Sequence, residues 1–467
     1  MSQSLRAALA FSAMAVLLMI VGIFQSWNVS LSIFNLCLIS AIMALGVNIQ
    51  WGYAGLFNVG IMGFAALGGV AALLTSKGPI PEAWTVGGVG IIASAFVTLA
   101  VILAAIFVAR KMPSGLPKVL TMIVVVLGGY LLIRLFYDPA VSAIEAVNPA
   151  KTGYLGGLGL PILLGWIVGG LFAACVAWLI GKVALGLRSD YLAIATLGIS
   201  EILIAMMKNE DWLTRGVKNV TGLDRPVPYE LNLQNSPEFV AWVEWLNAGK
   251  LAALDAASRD EVLREMVVEG SSIFVKLCYS GLFLGVLLIV LTLCVLALAS
   301  PWGRMIRAIR DNEVSAAAMG KNVTARHLQI FILGSAVVGI AGAMLTTLDG
   351  QFTPSTYQPL RYTFLIWVMV IVGGSGNNLG AVLGAFLIWF IWVEAEPVGN
   401  WLMSVLTSGL DPDNGLRLHL IDSAQHMRLV IMGLVMLLVM RFSPGGILPE
   451  RLARPAAQKP LQTAKKV

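Results

Sequence analysis

Long apolar runs recur along almost the whole chain, from Ala7 to Met440, and they set the strongest limit on how it can fold. A helix that crosses about 30 Å of hydrocarbon needs roughly 20 apolar residues. In the whole chain of 467 residues, 58% are hydrophobic and 12% are charged, whereas soluble domains are about 25% charged. These features predict an all-α, polytopic membrane protein.

The length rule marks a series of approximate spans. They are 7–25, 29–49, 54–76, 86–109, 119–137, 159–182, 191–208, 273–299, 327–348, 361–374, 378–394 and 427–441. Because several of these runs are short or broken by glycine, we expect about 10 to 12 transmembrane or re-entrant helices. No linker rich in proline or serine divides them, so residues 1–450 are predicted to form one transmembrane domain.

Charges between the spans predict the orientation. Segment 209–271 holds six basic and eleven acidic residues, whereas 300–327 holds five basic and two acidic residues. By the positive-inside rule the first segment lies outside, as a periplasmic loop, and the second lies in the cytoplasm. The tail 451–467 is basic, which places it inside as well, and both termini are predicted to be cytoplasmic. The same rule accounts for the net charge of +6 without a nucleic-acid partner.

The outer segment 209–271 contains a capping-box spacing. Ser258 stands three residues before Glu261, ahead of the apolar residues Leu263 and Met266. This pattern predicts a short amphipathic helix that begins at Ser258. Its role is either to shield the outer face or to dock another protein.

Motifs for catalysis, nucleotide binding or metal binding are missing from the sequence. Each Gly-Lys pair lacks the serine or threonine and the upstream glycine of a phosphate-binding loop, so the chain is not expected to bind ATP in that way. The histidines and cysteines show no metal-ligand spacing, so no metal site and no cofactor are expected. The histidines are His327, His419 and His426, and the cysteines are Cys37, Cys175, Cys278 and Cys294.

Three polar residues inside apolar runs are candidates for the solute path. Glu201 is a carboxylate within a predicted span, where it needs either a partner or a function. It is either a hydrogen-bonded structural group that faces the bundle interior or part of the path itself. Asn58 is the second candidate, since a bare amide in a span must face protein or water. Thr196 is the third, as a polar group in one of the spans whose motifs carry a family resemblance.

A polar stretch in the inner loop, "RAIRDNEVSAAAMGKNV" at 307–323, predicts a short amphipathic helix. Ser300 is a candidate N-cap, Pro301 suits the first helical position and Gly320 suits the C-terminal cap. The apolar face of this helix is predicted to be Met305, Ile306, Ile309 and Ala316. The helix could either lie on anionic lipid or press into a groove of a soluble partner.

Six motifs in order make the chain resemble the permease subunits of branched-chain amino-acid ABC importers, of the LivM type. They are "GYAGLFNVGIMGFAALGG" (52–69), "LRSDYLAIATLGISEI" (187–202), "GRMIRAIRDNEVSAAAMGKNV" (303–323), "AVVGIAGAML" (336–345), "VGGSGNNLGAVLGA" (372–385) and "RFSPGGILPE" (441–450). The resemblance implies the ABC importer permease fold and a multi-pass protein of the bacterial inner membrane.

The resemblance also implies partners and site residues. Region 301–326 would hold the cytoplasmic coupling helix that fits an ATPase subunit, and its implied contact residues are Arg304, Arg307, Arg310, Glu313, Ala317 and Gly320. The implied partners are a second, LivH-type permease, two ABC ATPase subunits that use ATP and Mg²⁺, a periplasmic substrate-binding protein and the lipid bilayer. Glu313 stands one residue earlier than the family's E-A-A-x-x-x-G pattern has it, and "TRGVKNVTGL" (214–223) departs from the usual T-G-G-x-x-G-L run.

The resemblance favours branched-chain or other hydrophobic amino acids as solutes, with urea or short amides as the alternative. An ion-coupled secondary transporter remains a rival, because that class needs no ATPase and instead uses buried carboxylates. An intramembrane enzyme would need a nucleophile, a metal or an acid–base cluster, which the motif scan does not find.

Overall fold

The computed structural model describes residues 3–148, 152–252, 255–411 and 414–450, which are almost entirely helical. The predicted basic tail 451–467 lies outside the described residues. The all-α polytopic fold predicted from the apolar runs is confirmed.

The helices of the first half of the chain follow the apolar runs. They are α1 (Gln3–Phe24), α2 (Trp27–Val47), α3 (Ile61–Ser76), α4 (Pro81–Ala83), α5 (Val89–Lys111), α6 (Leu116–Val147), α7 (Ile162–Ala184), α8 (Ser189–Asn209) and α9 (Asp211–Thr214). Two wider π-helical turns, Asn48–Tyr53 and Trp84–Gly88, extend α2 and join α4 to α5.

The helices of the second half include the longest one in the structure, with 44 residues. They are α10 (Glu230–Gln234), α11 (Pro237–Leu246), α12 (Ala248–Leu251), α13 (Ala256–Ala299), α14 (Pro301–Asp311), α15 (Glu313–Ala318), α16 (Val323–Asp349), α17 (Pro359–Gly373), α18 (Asn378–Leu406), α19 (Gly415–Asp422) and α20 (Met427–Phe442). Short 3₁₀ turns occur at Gly216–Lys218, Pro354–Thr356 and Ser423–His426.

Within the described residues, 9 helices are long and apolar enough to cross a membrane. The number becomes 10 if α19 and α20, which meet at a 59° bend, form one span. The shorter apolar helices α3 and α17 coincide with the predicted runs 54–76 and 361–374. The run 54–76 is only partly helical, since residues 55–60 are not helical and α3 begins at Ile61.

The chain divides into two units, and several helices begin in one unit and end in the other. Unit 1 comprises the residues up to Phe57, Ser272–Gly334 and the residues from Phe364 onward. Unit 2 comprises Asn58–Ser271 and Ser335–Thr363.

In unit 1, α2 is the most deeply buried of the amino-terminal spans and packs on α1 and α18. A buried asparagine joins it to α13: the Ser280 hydroxyl donates to the Asn35 side-chain oxygen (2.9 Å), and the Asn35 amide donates to the carbonyl of Lys276 (3.1 Å). These bonds satisfy an amide that would otherwise be costly inside a membrane protein.

In unit 2, α3 packs on α7 and on the part of α16 that follows Ser335 through glycines. A Cβ atom at Gly68 would collide with the carbonyl of Gly339, and one at Gly342 would collide with the carbonyl of Ala65. Small residues at these crossings let the helix backbones approach closely, which is the main source of packing energy between helices in lipid.

The segment between α8 and α13 also belongs mainly to unit 2, where β1 (Val220–Thr221) pairs antiparallel with β2 (Gln351–Phe352). The predicted short helix beginning at Ser258 is wrong in its extent. Helix α13 begins at Ala256 and runs without a break to Ala299, and Ser258 lies in its first turn, where its hydroxyl donates to the carbonyl of Asp255 (3.2 Å). The apolar residues of 262–272 continue the helix directly into the span, so no loop separates the two.

Candidate functional site

The predicted coupling segment begins as the sequence indicates. Helix α14 starts at Pro301, and the Ser300 hydroxyl accepts a hydrogen bond from the backbone N–H of Gly303 (3.4 Å). Gly303, Ile306 and Ile309 are buried. The predicted N-cap and the apolar face of the first turns are therefore confirmed.

The segment then breaks at Asn312, so it forms two helices rather than the single helix that was predicted. Asn312 is extended (φ −156°, ψ 98°), and its side-chain oxygen accepts from the N–H of Ser315 (2.9 Å). Asparagine competes with the helix in this way because its short side chain satisfies an N-terminal N–H group. The prediction that Ala316 shares the apolar face of α14 is wrong, since Ala316 lies in α15.

Gly320 ends α15 in a left-handed conformation, with φ at +76°. Its N–H donates to the carbonyl of Ala317 (2.9 Å), and the N–H of Lys321 donates to the carbonyl of Ala316 (3.2 Å). This pair of bonds is a Schellman cap, which favours glycine. A Cβ atom at Gly320 would meet nothing within 4 Å, so the surface beside it is open.

Helix α15 has no buried residues. Val314 and Met319, the residue that directly follows the helix, are each 80% exposed, and Glu313 and Ala317 are exposed as well. Two large apolar side chains on so short a helix form a surface that another molecule can cover.

Arg304 and Arg307, both predicted to contact an ATPase, have hydrogen bonds within the chain. The Arg304 guanidinium donates to the carbonyl of Ala299 (3.3 Å), and that of Arg307 donates to the carbonyl of Leu298 (3.1 Å). Both carbonyls belong to the last turn of α13, where cations favour the negative end of the helix dipole. These arginines hold α14 against the end of the α13 span.

Arg310 turns away from the exposed surface of the segment. Its guanidinium donates to the carbonyl of Gly52 (2.6 Å) and to the Glu450 carboxylate (2.9 Å), and it also pairs with Asp311 (3.1 Å). Burial opposes the charge, but the bonds to Glu450 and Asp311 outweigh it and raise the pKa of Arg310. The arginine thus joins α14 to two distant parts of unit 1.

The carbonyl that Arg310 contacts lies in the π-helical turn at the end of α2. In the same turn the Asn48 amide donates to the Asn378 side-chain oxygen (3.1 Å), and the Asn48 oxygen accepts from the N–H of Gly376 (2.9 Å). Gly376 has φ +77°, and a Cβ atom there would press on the Glu450 side chain. The turn, the 374–378 loop and Glu450 therefore form one hydrogen-bonded junction.

Main-chain bonds within this junction also join the motif 441–450 to the motif 372–385. The N–H of Ile447 donates to the carbonyl of Val372 (2.9 Å), and that of Leu448 donates to the carbonyl of Gly373 (2.9 Å). Parts of four of the six sequence motifs thus meet in unit 1, around Arg310.

The predicted solute-path residues Asn58 and Thr196 lie together in unit 2. Asn58 is buried, and its side-chain oxygen accepts from the N–H of Gly60 (2.9 Å). The buried Thr196 hydroxyl accepts from the N–H of Val59 (3.1 Å) and donates to the carbonyl of Ala193 (3.0 Å). These bonds fix the irregular main chain in front of α3.

Thr196 also lines a small gap between α3, α7 and α8, together with Gly60 and Ser200. The gap has no space for a water-sized molecule. In this conformation the Thr196 region is a packed helix contact rather than a chamber for a solute.

Glu201 does not join this cluster. The buried face of α8 carries Thr196, Ser200 and Ile204, whereas Glu201 is exposed. Within this chain Glu201 lies on the outer surface of α8, because its position is rotated by about 100° from the neighbouring Ser200. Its predicted place in the solute path stays a prediction.

Asn48, Gly52, Gly376 and Glu450 were not predicted as site residues from the sequence. A usable signal was available for Glu450 and Gly376, because both stand in motifs that carry the family resemblance. Asn48 is a polar residue inside an apolar run, the same criterion that selected Asn58.

Comparison with known proteins identifies the family of this chain. The family described as "Branched-chain amino acid transport system / permease component" matches residues 125–440. The chain belongs to this family. Permease components of such systems have no ATP site of their own, and ATP is hydrolysed by separate subunits. With its many apolar helices, this branched-chain permease family member is a multi-pass membrane protein.

The chain is similar to three branched-chain amino acid transport permease proteins named LivM, two described as high-affinity and one as probable. It is 27% identical over 248 residues to those of Escherichia coli (strain K12) and Salmonella typhimurium, which covers 53% of this chain and 53% of each relative. It is 26% identical over 154 residues to that of Methanocaldococcus jannaschii, which covers 33% of this chain and 41% of the relative. The chain thus spans about half the length of the first of these relatives. No solved structure matches the chain.

Proposed function

We propose that this chain is the permease subunit of an ATP-driven importer for branched-chain or other hydrophobic amino acids in a bacterial inner membrane. It would work with a second, LivH-type permease, two ATPase subunits and a periplasmic binding protein. The family match and the names of the LivM relatives support the class of solute.

The exposed helix α15 is the observation that carries the proposal of coupling. It presents Val314 and Met319 with small alanines between them and open space beside Gly320. Small side chains let a second surface approach closely, and exposed apolar ones supply binding energy when they are covered. The proposed occupant is an ATPase subunit. That subunit would bind and use ATP and Mg²⁺, which the chain itself is not expected to bind.

Arg310 is the proposed link between docking and the spans. A charge-assisted hydrogen bond contributes about 1.5–3 kcal/mol, so a displacement of α14 is resisted by the bonds to Gly52 and Glu450. The displacement is thereby passed to the π-helical turn that ends α2. In this scheme Arg304 and Arg307 hold α14 to the end of α13 at the same time.

Asn58 and Thr196 are proposed to act on the solute path through the main chain that they hold. Their bonds to Gly60 and Val59 keep residues 58–60 out of the helix, and a non-helical main chain inside a membrane protein is tolerated where it is buried or lines a cavity. Opening of the packed gap beside Thr196 would expose this main chain to a solute.

Transport by the reconstituted complex tests the proposal. Liposomes that contain this chain, the second permease and the ATPase subunits are given the binding protein and radiolabelled leucine, with urea as the alternative solute. We expect leucine uptake that requires ATP and all subunits. The matched control omits only the ATPase subunits, and we expect no uptake there. Uptake that persists in the control under a proton gradient would contradict an ATP-driven importer, and ATP-dependent uptake of urea alone would contradict the proposed solute.

A further inference from the structure

Glu201 lies close to the middle of an apolar span. It stands 12 residues after the start and 8 residues before the end of α8, so it lies about 18 Å and 12 Å from the two ends at about 1.5 Å per residue. A charged side chain near the bilayer centre costs about 2.5–3.5 kcal/mol on insertion scales. A carboxylate is retained at such a depth when a partner or a function compensates for that cost.

The other charged groups well inside the described spans have a partner in this chain. Arg134 pairs with Asp138 (2.7 Å), and Arg428 pairs with Glu396. The Lys276 ammonium donates to the carbonyl of Asn28 (3.0 Å), and the Gln25 amide donates to Glu394 (2.7 Å). Among the described residues, Glu201 has neither a hydrogen bond nor an ion pair.

The face of α8 around Glu201 is shaped for close approach by another helix. Ile194 (69% exposed), Gly198, Glu201 and Ile202 (60% exposed) follow one another at helical spacing, and Ala205 continues the stripe. A Cβ atom at Gly198 would meet nothing within 4 Å, whereas Gly68 of α3 and Gly339 and Gly342 of α16 are closely packed within unit 2. Glycine inside a helix costs about 1 kcal/mol relative to alanine, and Gly198 gains no packing in this chain in return.

We infer that this face of α8 binds a transmembrane helix of the second permease subunit, and that Glu201 accepts a hydrogen bond from a donor side chain on that helix. The inference rests on the proposed function, because that function supplies a second membrane-embedded chain. Small residues beside a polar group are the usual composition of helix interfaces in lipid.

The depth and charge of Glu201 select this occupant over the others. An ATPase subunit and a binding protein lie outside the hydrocarbon, and lipid tails offer no donor. A second copy of this chain would bring another carboxylate, which is not a donor, to the same small patch, and like charges that close together repel each other. A different membrane chain that carries a donor complements the carboxylate.

Site-specific photocross-linking in the assembled complex tests the inference. The photoreactive residue p-benzoylphenylalanine is placed at Ile194 or Ile202, and at Ile167 of α7 as a matched control, which is 61% exposed. We expect both α8 positions to cross-link to the second permease at least tenfold more than Ile167. Cross-links to lipid alone, or to a second copy of this chain, would overturn the inference while leaving the proposed function intact.

A pair of variants isolates the role of the carboxylate. Glu201→Gln keeps an acceptor at the same place, whereas Glu201→Leu removes it. The complex is purified through a tag on this chain, and the amount of second permease that co-purifies is compared with wild type. We expect Glu201→Leu to lower that amount at least fivefold and Glu201→Gln to lower it less than twofold. The amount of ATPase subunit recovered per tagged chain should change less. Recovery of equal amounts of the second permease with both variants would contradict the inferred hydrogen bond to Glu201. Failure of the wild-type chain to retain any second permease would contradict the proposed function itself, and the inference with it.

Discussion

Helices α14 and α15 are consecutive in the sequence and separated by one residue, yet they have opposite surroundings. Helix α14 buries Gly303, Ile306 and Ile309, and its arginines bond to carbonyls or carboxylates elsewhere in unit 1. Helix α15 buries no residue and exposes Val314 and Met319. The difference assigns attachment to α14 and leaves α15 free for a partner.

This division explains why the charged residues of the segment are not all equivalent. A partner that covers α15 can contact Glu313, Ala317 and Gly320 directly, whereas Arg310 already bonds to Gly52 and Glu450. Loss of Arg310 should therefore affect the transmission of movement, and changes in α15 should affect docking. The following variants separate the two effects.

Arg310→Ala should have the largest effect on transport without preventing docking. It removes the bonds to Gly52 and Glu450 and leaves a half-buried carboxylate without its cation, so we expect ATP-dependent uptake to fall at least about tenfold. Arg310→Lys keeps the charge but loses the two-pronged guanidinium geometry, and it should give an intermediate rate. Uptake into proteoliposomes and co-purification of the ATPase subunits are measured together.

Arg326→Ala is the matched control, because the Arg326 guanidinium contacts the nearby Gln329 side chain (2.9 Å) within the first turns of α16. We expect its uptake to stay within about twofold of wild type. If Arg310→Ala and Arg326→Ala transported equally well, the attachment role of α14 would be wrong.

Asn312→Ala should have a smaller effect, this time on docking. An N-cap residue contributes about 1 kcal/mol, so loss of the bond to Ser315 should weaken α15 and lower the affinity for the ATPase subunits about fivefold. Asn312→Asp keeps a capping oxygen and should restore binding. The dissociation constant is measured with the purified ATPase and the permease in nanodiscs, and equal values for Asn312→Ala and wild type would refute a need for the cap.

Much of the fold could be predicted from the sequence, because apolar length alone decides where a chain crosses a membrane. A helix lies in each of the marked runs, although 54–76 is only partly helical, and the caps at Ser300 and Gly320 were recognised from their local residues. Local physics governs these features, so a short window of sequence contains the information.

The errors arose where local patterns competed or where partners lie far apart in the chain. At Asn312 the alanine-rich run that follows favours a continuous helix, but the capping preference of asparagine prevailed. The pair Asn312 and Glu313 is a helix-start signal that could have predicted this break. At Ser258 the capping box was overridden by an apolar face that continues into the span.

The candidate site was predicted only in part for the same reason. The contact of Arg310 with Glu450 joins residues separated by 140 positions, and no periodicity encodes such a pairing. Burial of Thr196 and exposure of Glu201 depend on which face of α8 meets α3, which the local sequence of the span does not reveal.

Co-isolation of the ATPase subunits with Gly320→Trp tests the central claim, the docking role of α15, most directly. An indole at Gly320 would occupy the open surface beside the cap, and Gly249→Trp, at an exposed glycine of α12 with equally open surroundings, is the control for bulk. Gly320→Ala separates the strain of the positive φ from the size of the indole. We predict that the Gly320→Trp variant retains the second permease but loses the ATPase subunits and solute uptake. Gly249→Trp should keep both the ATPase subunits and uptake, and Gly320→Ala should keep both to within a few-fold of wild type. Wild-type amounts of ATPase and wild-type uptake with Gly320→Trp would contradict the account.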